Sequence, residues 1–198
     1  MPAPAFPVEA VTAAILAGGE GSRVGGRDKG LMPLAGRPLI AWVCEAIGRQ
    51  CGAILISANR NVEQYAAFGR VVADAGNGFA GPLAGIAAAL NACTTPWLLT
   101  VPVDSPRPPH DLGVRLHAAI GDAAAAVAVQ TSGTREPLFA LYRRALAGSA
   151  CTAAENALGV WAWQDICGAI EVEFAEVEAF ANLNTDDDFR RWEANADD

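Results

Sequence analysis

Apolar residues in this chain come in short dense runs, and the runs alternate between the period of a strand and that of a helix. Val11–Leu16 carries no charge and ends at a glycine cluster, as expected of a strand buried on both faces. Residues 38–47 show apolar positions at helical spacing, with Pro38 in the first turn, where a missing N–H costs nothing. The alternation then repeats: a strand over Ala53–Ser57, a short helix over 61–68, a strand over 70–73 ending at Asp74, a helix over 83–91 and a strand over 97–101. Residues 76–82 read as loop. The second half is less regular. A helix is expected over 111–120, strands over 124–130 and 138–142, a helix over 151–158 and a strand over 169–174. Asn182 to Thr185 is a short loop, and Thr185 or Asp186 caps a final helix reaching Trp192.

Strands that alternate with helices predict an α/β fold, a three-layer, doubly wound and mostly parallel sheet. Such sheets bind ligands beyond the carboxyl ends of their strands. The glycine cluster after Leu16, together with Ser57, Asp74 and Asp104, is therefore expected to meet at one edge. Residues 11–193 read as a single domain, 1–10 as a flexible lead-in and 194–198 as an acidic tail.

Composition narrows the picture. The 20 glycines and 12 prolines exclude a helical bundle, and much of the 52% hydrophobic content is alanine. No apolar run approaches the ~20 residues needed to cross a bilayer. The opening Met-Pro-Ala-Pro-Ala-Phe-Pro lacks the basic and apolar regions of a signal peptide. The net charge is -8, and ten of the 22 carboxylates follow Ile170, which disfavours nucleic acid as a partner. Five cysteines without metal-finger spacing point to reduced thiols and a cytoplasmic compartment.

Candidate chemistry centres on Lys29, the chain's single lysine, which ends a stretch with six glycines between Ala14 and Gly30. Gly18, Gly19, Gly21, Gly25 and Gly26 let the backbone wrap a polyphosphate, and Arg23 and Lys29 are placed to contact its oxygens. Arg27 either joins them or faces solvent, and Asp28 fixes the loop. The usual phosphate loop has serine or threonine after its lysine, whereas Gly30 follows here. Asp104, between Pro102 and Pro106 at a strand end, suits magnesium or caps its own turn. Asp74 has both readings open. Gly81-Pro-Leu-Ala-Gly85 is a rigid turn into a helix, with glycines that allow close approach to a ligand. Arg135, Arg143 and Arg144 either hold a second phosphorylated substrate or are exposed charge. Asn182 and Asn184 flank Leu183, so both amides either face a ligand or scaffold the turn. His110 and His117 lack a nucleophile partner and are not expected to catalyse.

The motifs Leu16-Ala-Gly-Gly, Arg23-Val-Gly-Gly-Arg-Asp-Lys-Gly30, Leu34-Ala-Gly-Arg-Pro-Leu39, Ala58-Asn-Arg60, Gly81-Pro-Leu-Ala-Gly85, Pro102-Val-Asp-Ser-Pro106, Pro137-Leu-Phe-Ala-Leu-Tyr142 and Asn182-Leu-Asn-Thr185 stand in one order. In that order the chain resembles the molybdenum cofactor guanylyltransferase family from about Thr12 to Trp192. The resemblance implies a Rossmann-like nucleotidyltransferase that uses Mg2+ and GTP to attach GMP to Mo-molybdopterin. It implies that Leu16, Ala17, Gly18, Gly19, Lys29, Ser57, Asp74 and Asp104 bind nucleotide, with Asp104 on the metal. Arg23, Gly26, Gly81, Gly85, Asn182 and Asn184 would line the pterin side. Lys29, Arg23 and Asp104 are the expected catalytic residues. The N-terminal half would mainly bind GTP and the C-terminal half would contribute to the pterin site.

Three departures accompany the resemblance. Ser57 stands where the family often has asparagine, Val24 replaces a common methionine, and residues 151–163 contain no arginine or lysine. A sister cytidylyltransferase usually presents Ala-Ala-Gly where this chain has Ala17-Gly-Gly19, which favours guanine. A sugar-phosphate nucleotidyltransferase is a further relative, and a non-catalytic carrier is disfavoured by Lys29 and Asp104. The expected partners are the two substrates and transient contacts with cofactor-biosynthesis proteins, recipient molybdoenzymes or their chaperones. A monomer without membrane attachment is the expected state.

Overall fold

The computed structural model describes residues 6–18, 27–74 and 81–195. Among the described residues nine strands and seven α-helices follow in order: β1 (Val11–Leu16), β2 (Pro33–Leu34), β3 (Arg37–Pro38), α1 (Leu39–Gly48), β4 (Ala53–Ser57), α2 (Val62–Tyr65), β5 (Arg70–Val72), α3 (Pro82–Ala92), β6 (Trp97–Pro102), α4 (Leu112–Ile120), β7 (Ala125–Gln130), β8 (Arg135–Arg143), α5 (Ala147–Glu155), α6 (Val160–Ile166), β9 (Ile170–Phe174) and α7 (Asp186–Asn195). Seven strands form one sheet in the order β5-β4-β1-β6-β8-β7-β9. All neighbours are parallel except those of β8, which runs against β6 and β7. This is the α/β, doubly wound, mostly parallel sheet expected above, with one reversed strand.

Burial explains the layering. β1 and β6 are buried along almost their whole length because helices cover both faces. On one face Ala13, Ile15 and Ile56 pack with Ile40, Val43 and Ile47 of α1 and Leu112 and Leu116 of α4. On the other, Ala14, Leu55 and Leu98 pack with Leu83, Ile86 and Leu90 of α3, Ala150 of α5 and Trp163 of α6. The many alanines let α3 and α5 lie close to the sheet and to each other. A third cluster joins Met32, Leu34 and Leu39 to Leu183 and Phe189, with Trp42 and Trp192 packed against it, and so seats α7 beside α1.

Several details correct the sequence reading. Within the segment read as a lead-in, Phe6 lies edge-on against His117 and Val8–Ala10 is a 3-10 turn, while residues 1–5 lie outside the described residues. α7 extends to Asn195, past the expected end at Trp192. The β2-β3 hairpin, unassigned above, turns through Ala35 and Gly36 with φ of 46° and 76°, the handedness that tight hairpins require. α5 starts at Ala147 and ends at Glu155, and a separate helix α6 follows. The break is a Schellman turn: the N–H of Leu158 bonds to the carbonyl of Ala153 and that of Ala157 to Ala154. Ala157 takes the left-handed conformation there (φ 54°), a position usually marked by glycine.

Candidate active site

Strand register creates the site. Leu16 pairs with Ser57 on one side and Pro102 on the other, and Ser57 pairs with Val72. Four parallel strands therefore end level, and Gly18, Asn59, Asp74 and Asp104 each fall two residues past that line. The ladder continues one step beyond the strands. The N–H of Ala17 donates to the Ser57 carbonyl at 2.9 Å, and that of Val103 to the Leu16 carbonyl at 3.1 Å.

Lys29 opens a 3-10 turn, Lys29–Leu31, capped by Asp28, whose carboxylate accepts the N–H of Gly30. Its ammonium donates to Asp104 Oδ2 at 3.1 Å and to Asn184 Oδ1 at 2.6 Å. The side chains of Lys29 and Asp104 are 19% and 21% exposed, so the pair is partly shielded from water yet open to a ligand. Residues far apart in sequence thus form one charged cluster at the carboxyl edge of the sheet.

Asn184 is held by the start of α7. Asp188 Oδ2 accepts the N–H groups of Asn184 at 3.0 Å and Thr185 at 2.8 Å, while Thr185 Oγ1 accepts the N–H of Asp188 at 3.2 Å. This reciprocal cap resembles a capping box, with aspartate in place of glutamate. The Asn184 backbone N–H, followed by the Thr185 hydroxyl, keeps the Asp188 carboxyl below the ordinary aspartate value. The N–H of Leu183 bonds to the Asp104 carbonyl at 2.8 Å, and Ser105 Oγ donates to Asn182 Oδ1 at 2.6 Å. Asn184 therefore faces Lys29, whereas Asn182 faces Ser105.

The other expected site residues distribute around this cluster. Ala17 is buried and Gly18 exposed. Asp74 Oδ2 accepts from Asn59 Nδ2 at 2.8 Å, and its own N–H donates to Asn59 Oδ1 at 3.1 Å. Its Oδ1 is buried without a hydrogen-bond partner among the described residues. Gly81 is the exposed N-cap of α3 with φ 76°. Gly85 lies one turn in, buried against Ser57, where an added Cβ would stand 2.5 Å from Ser57 Oγ. Its close approach within the protein is thus to Ser57. Gly19, Arg23 and Gly26, with Gly21, Val24 and Gly25, lie outside the described residues.

The three arginines weighed as phosphate holders do not gather. β8 is antiparallel, so Arg143 pairs with Trp97 at the opposite end of β6 from Asp104. There its guanidinium donates to the carbonyls of Ala123 and Gly121 and lies over the Trp97 ring. Arg144 follows it at that far end. Arg135 is not exposed charge: its side chain is 4% exposed, paired with Asp165 at 2.5 Å and lying over Trp161.

Asn59, Ser105 and Asp188 escaped the residue-by-residue reading. The Thr-x-x-Asp pattern at Thr185 to Asp188 was a legible cap signal, whereas the pairings of Asn59 and Ser105 exist only in the fold.

The family model of the MobA-like NTP transferase domain matches residues 13–167. A molybdenum cofactor guanylyltransferase of Ralstonia nicotianae is 42% identical over 192 residues, covering 91% of this chain and 94% of that protein. Another, from Cupriavidus pinatubonensis, is 43% identical over 193 residues, with 93% and 96% covered. The crystal structure of molybdopterin-guanine dinucleotide biosynthesis protein A from Archaeoglobus fulgidus shares the fold with a TM-score of 0.76 at 23% identity, covering 94% of this chain and 98% of that one. The chain belongs to the MobA-like NTP transferase family and, within it, to the molybdenum cofactor guanylyltransferases.

Proposed function

We propose that this protein transfers GMP from GTP to the terminal phosphate of Mo-molybdopterin, giving the guanine dinucleotide cofactor and pyrophosphate. The observation that carries the reading is the Lys29–Asp104–Asn184 cluster at the carboxyl edge of the sheet, in a member of the guanylyltransferase family. The oxygen of the pterin phosphate would attack the α-phosphorus of GTP, forming one P–O bond as the bond to pyrophosphate breaks. That nucleophile is already anionic, so no protein base is required. The protein's task is alignment and charge neutralisation.

Lys29 has three N–H donors, and Asp104 and Asn184 engage two of them. The third is left for a phosphate oxygen, where charge builds during transfer. Asp104 and Asn184 fix the ammonium and so reduce the entropy lost when it meets the ligand. Leu16, Ala17, Gly18, Gly19, Ser57 and Asp74 form the nucleotide side in this reading. Arg23, Gly26, Gly81, Asn182 and Asn184 form the pterin side, with Gly85 shaping the cleft through Ser57.

Magnesium fits the donor chemistry present. It prefers oxygen ligands and binds through one or two carboxylates completed by substrate phosphates and water. Asp104 supplies that carboxylate, and the Asn184 amide oxygen lies on the same ammonium. When bound, the ion would neutralise charge on the reacting phosphates. Pyrophosphate release with GTP and Mo-molybdopterin, joined to mass identification of the dinucleotide product, tests the reading; a protein that binds GTP without turnover would contradict it.

A further inference from the structure

Asp28 is the most heavily engaged carboxylate near the cluster. Its Oδ1 accepts the Tyr65 hydroxyl at 2.5 Å and the N–H of Gly30 at 3.2 Å. Its Oδ2 accepts Asn61 Nδ2 at 2.8 Å and lies 3.8 Å from Arg60 Nε. The Asp28 side chain is 8% exposed and Tyr65 is fully buried, so the bond between them is shielded from competing water. Asn61 adopts a left-handed backbone conformation (φ 52°), a cost the fold sustains while its amide holds Asp28.

Gly30 is gripped from both sides. A Cβ there would overlap the Tyr65 hydroxyl and lie 2.9 Å from Val103, the residue before Asp104. The turn bearing Lys29 is therefore wedged between the end of α2 and the end of β6. Burial and the Asp28 carboxylate push the Tyr65 phenol far above its ordinary range, so it remains a donor at any working pH.

We propose that Tyr65 is a positioning residue for the transfer: through Asp28 it sets the Lys29 turn so that the ammonium meets Asp104, Asn184 and the GTP phosphates together. Tyr65 touches neither Lys29 nor the substrate in this scheme; its hydroxyl acts at one remove. The inference deepens the guanylyltransferase reading and rests on it for the identity of the phosphates.

A double-mutant cycle on GTP affinity tests it without the pterin. Tyr65→Phe keeps the buried ring and removes only the hydroxyl bonded to a charged acceptor, which predicts a GTP Kd weakened about tenfold. In a Lys29→Ala background the same change is expected to weaken binding less than about twofold, because the group it positions is gone. Equal weakening in both backgrounds, or none in the first, would overturn the proposal. Asp28→Asn gives a second route to the same cycle and is expected to show the same dependence on Lys29. Pyrophosphate release by the wild type is measured in parallel. Its absence would refute the guanylyltransferase reading, while the cycle on Kd judges Tyr65 separately.

Discussion

The Lys29 ammonium sits 2.6 Å from the Asn184 amide oxygen, across 155 residues of chain. This contact brings the Lys29–Leu31 turn against the loop that precedes the last helix, α7. Asp104, two residues past the end of the middle strand β6, completes the arrangement at 3.1 Å from the same ammonium. Three distant segments thus contribute one side chain each to a single charged group.

Removing that group is expected to stop the reaction and spare the fold. Lys29→Ala deletes the donor proposed to meet the developing phosphate charge, and loss of one such donor is expected to lower kcat by about 10²–10³-fold. Lys29 is outside the three apolar clusters, so the melting temperature should change little. Steady-state pyrophosphate release together with a thermal melt checks both halves.

Gly85 and Ser57 are predicted to behave as a coupled pair. Gly85→Ala places a methyl 2.5 Å from Ser57 Oγ and 3.4 Å from Ser57 Cβ. Overpacking of this kind costs about 1–3 kcal/mol, or roughly 2–4 °C in Tm for each kcal/mol in a chain of this size. Ser57→Ala removes the clashing oxygen, so Gly85→Ala in that background should cost much less. Additive losses in a denaturation series on the four proteins would contradict the packing account.

His117 makes stability fall on the acid side. Its imidazole lies edge-on to Trp97 at 5.1 Å and to Phe6 at 5.6 Å between ring centroids. Desolvation, followed by the charge of Arg143, lowers its pKa below the ordinary 6.5. A lowered value means that the unfolded chain takes up the proton first. The contribution is complete above pH 6.5 and is lost as pH falls through the folded value. His117→Phe keeps an aromatic ring and removes the titration, so its Tm should drop less than that of the wild type between about pH 7 and pH 5.

Magnesium removal should separate catalysis from stability. Among the described residues no three His, Cys, Asp or Glu side chains cluster as a metal cage. Chelation is expected to abolish pyrophosphate release, as the magnesium proposed on Asp104 requires, and to leave the Tm of the nucleotide-free protein unchanged. A chelator-induced fall in Tm would indicate a structural ion instead.

The legible parts of the fold were those where local pattern and tertiary environment agree. Val11–Leu16 and Trp97–Pro102 are apolar because both faces are covered, and the sequence displays that directly. The α5-α6 break was hidden because Ala157 fills a left-handed position that glycine would have announced. The reversal of β8 was equally hidden, since an apolar run has no direction until it is paired. That reversal is what separates Arg143 from Asp104.

At the site, Lys29 and Asp104 stood out by residue type and position. Their contact with Asn184 depended on where α7 packs, through Leu183 and Phe189. Tyr65 offered no signal: a buried aromatic in a short helix reads as core, and its bond to Asp28 crosses 37 residues.

The most direct test of the account is nucleotide-dependent pyrophosphate release by the purified protein with magnesium and Mo-molybdopterin, offering GTP, CTP, ATP and UTP separately. Turnover selective for GTP, with a guanine dinucleotide as the product, is the expected result. Selectivity for CTP, or GTP binding with no release of pyrophosphate, would contradict it.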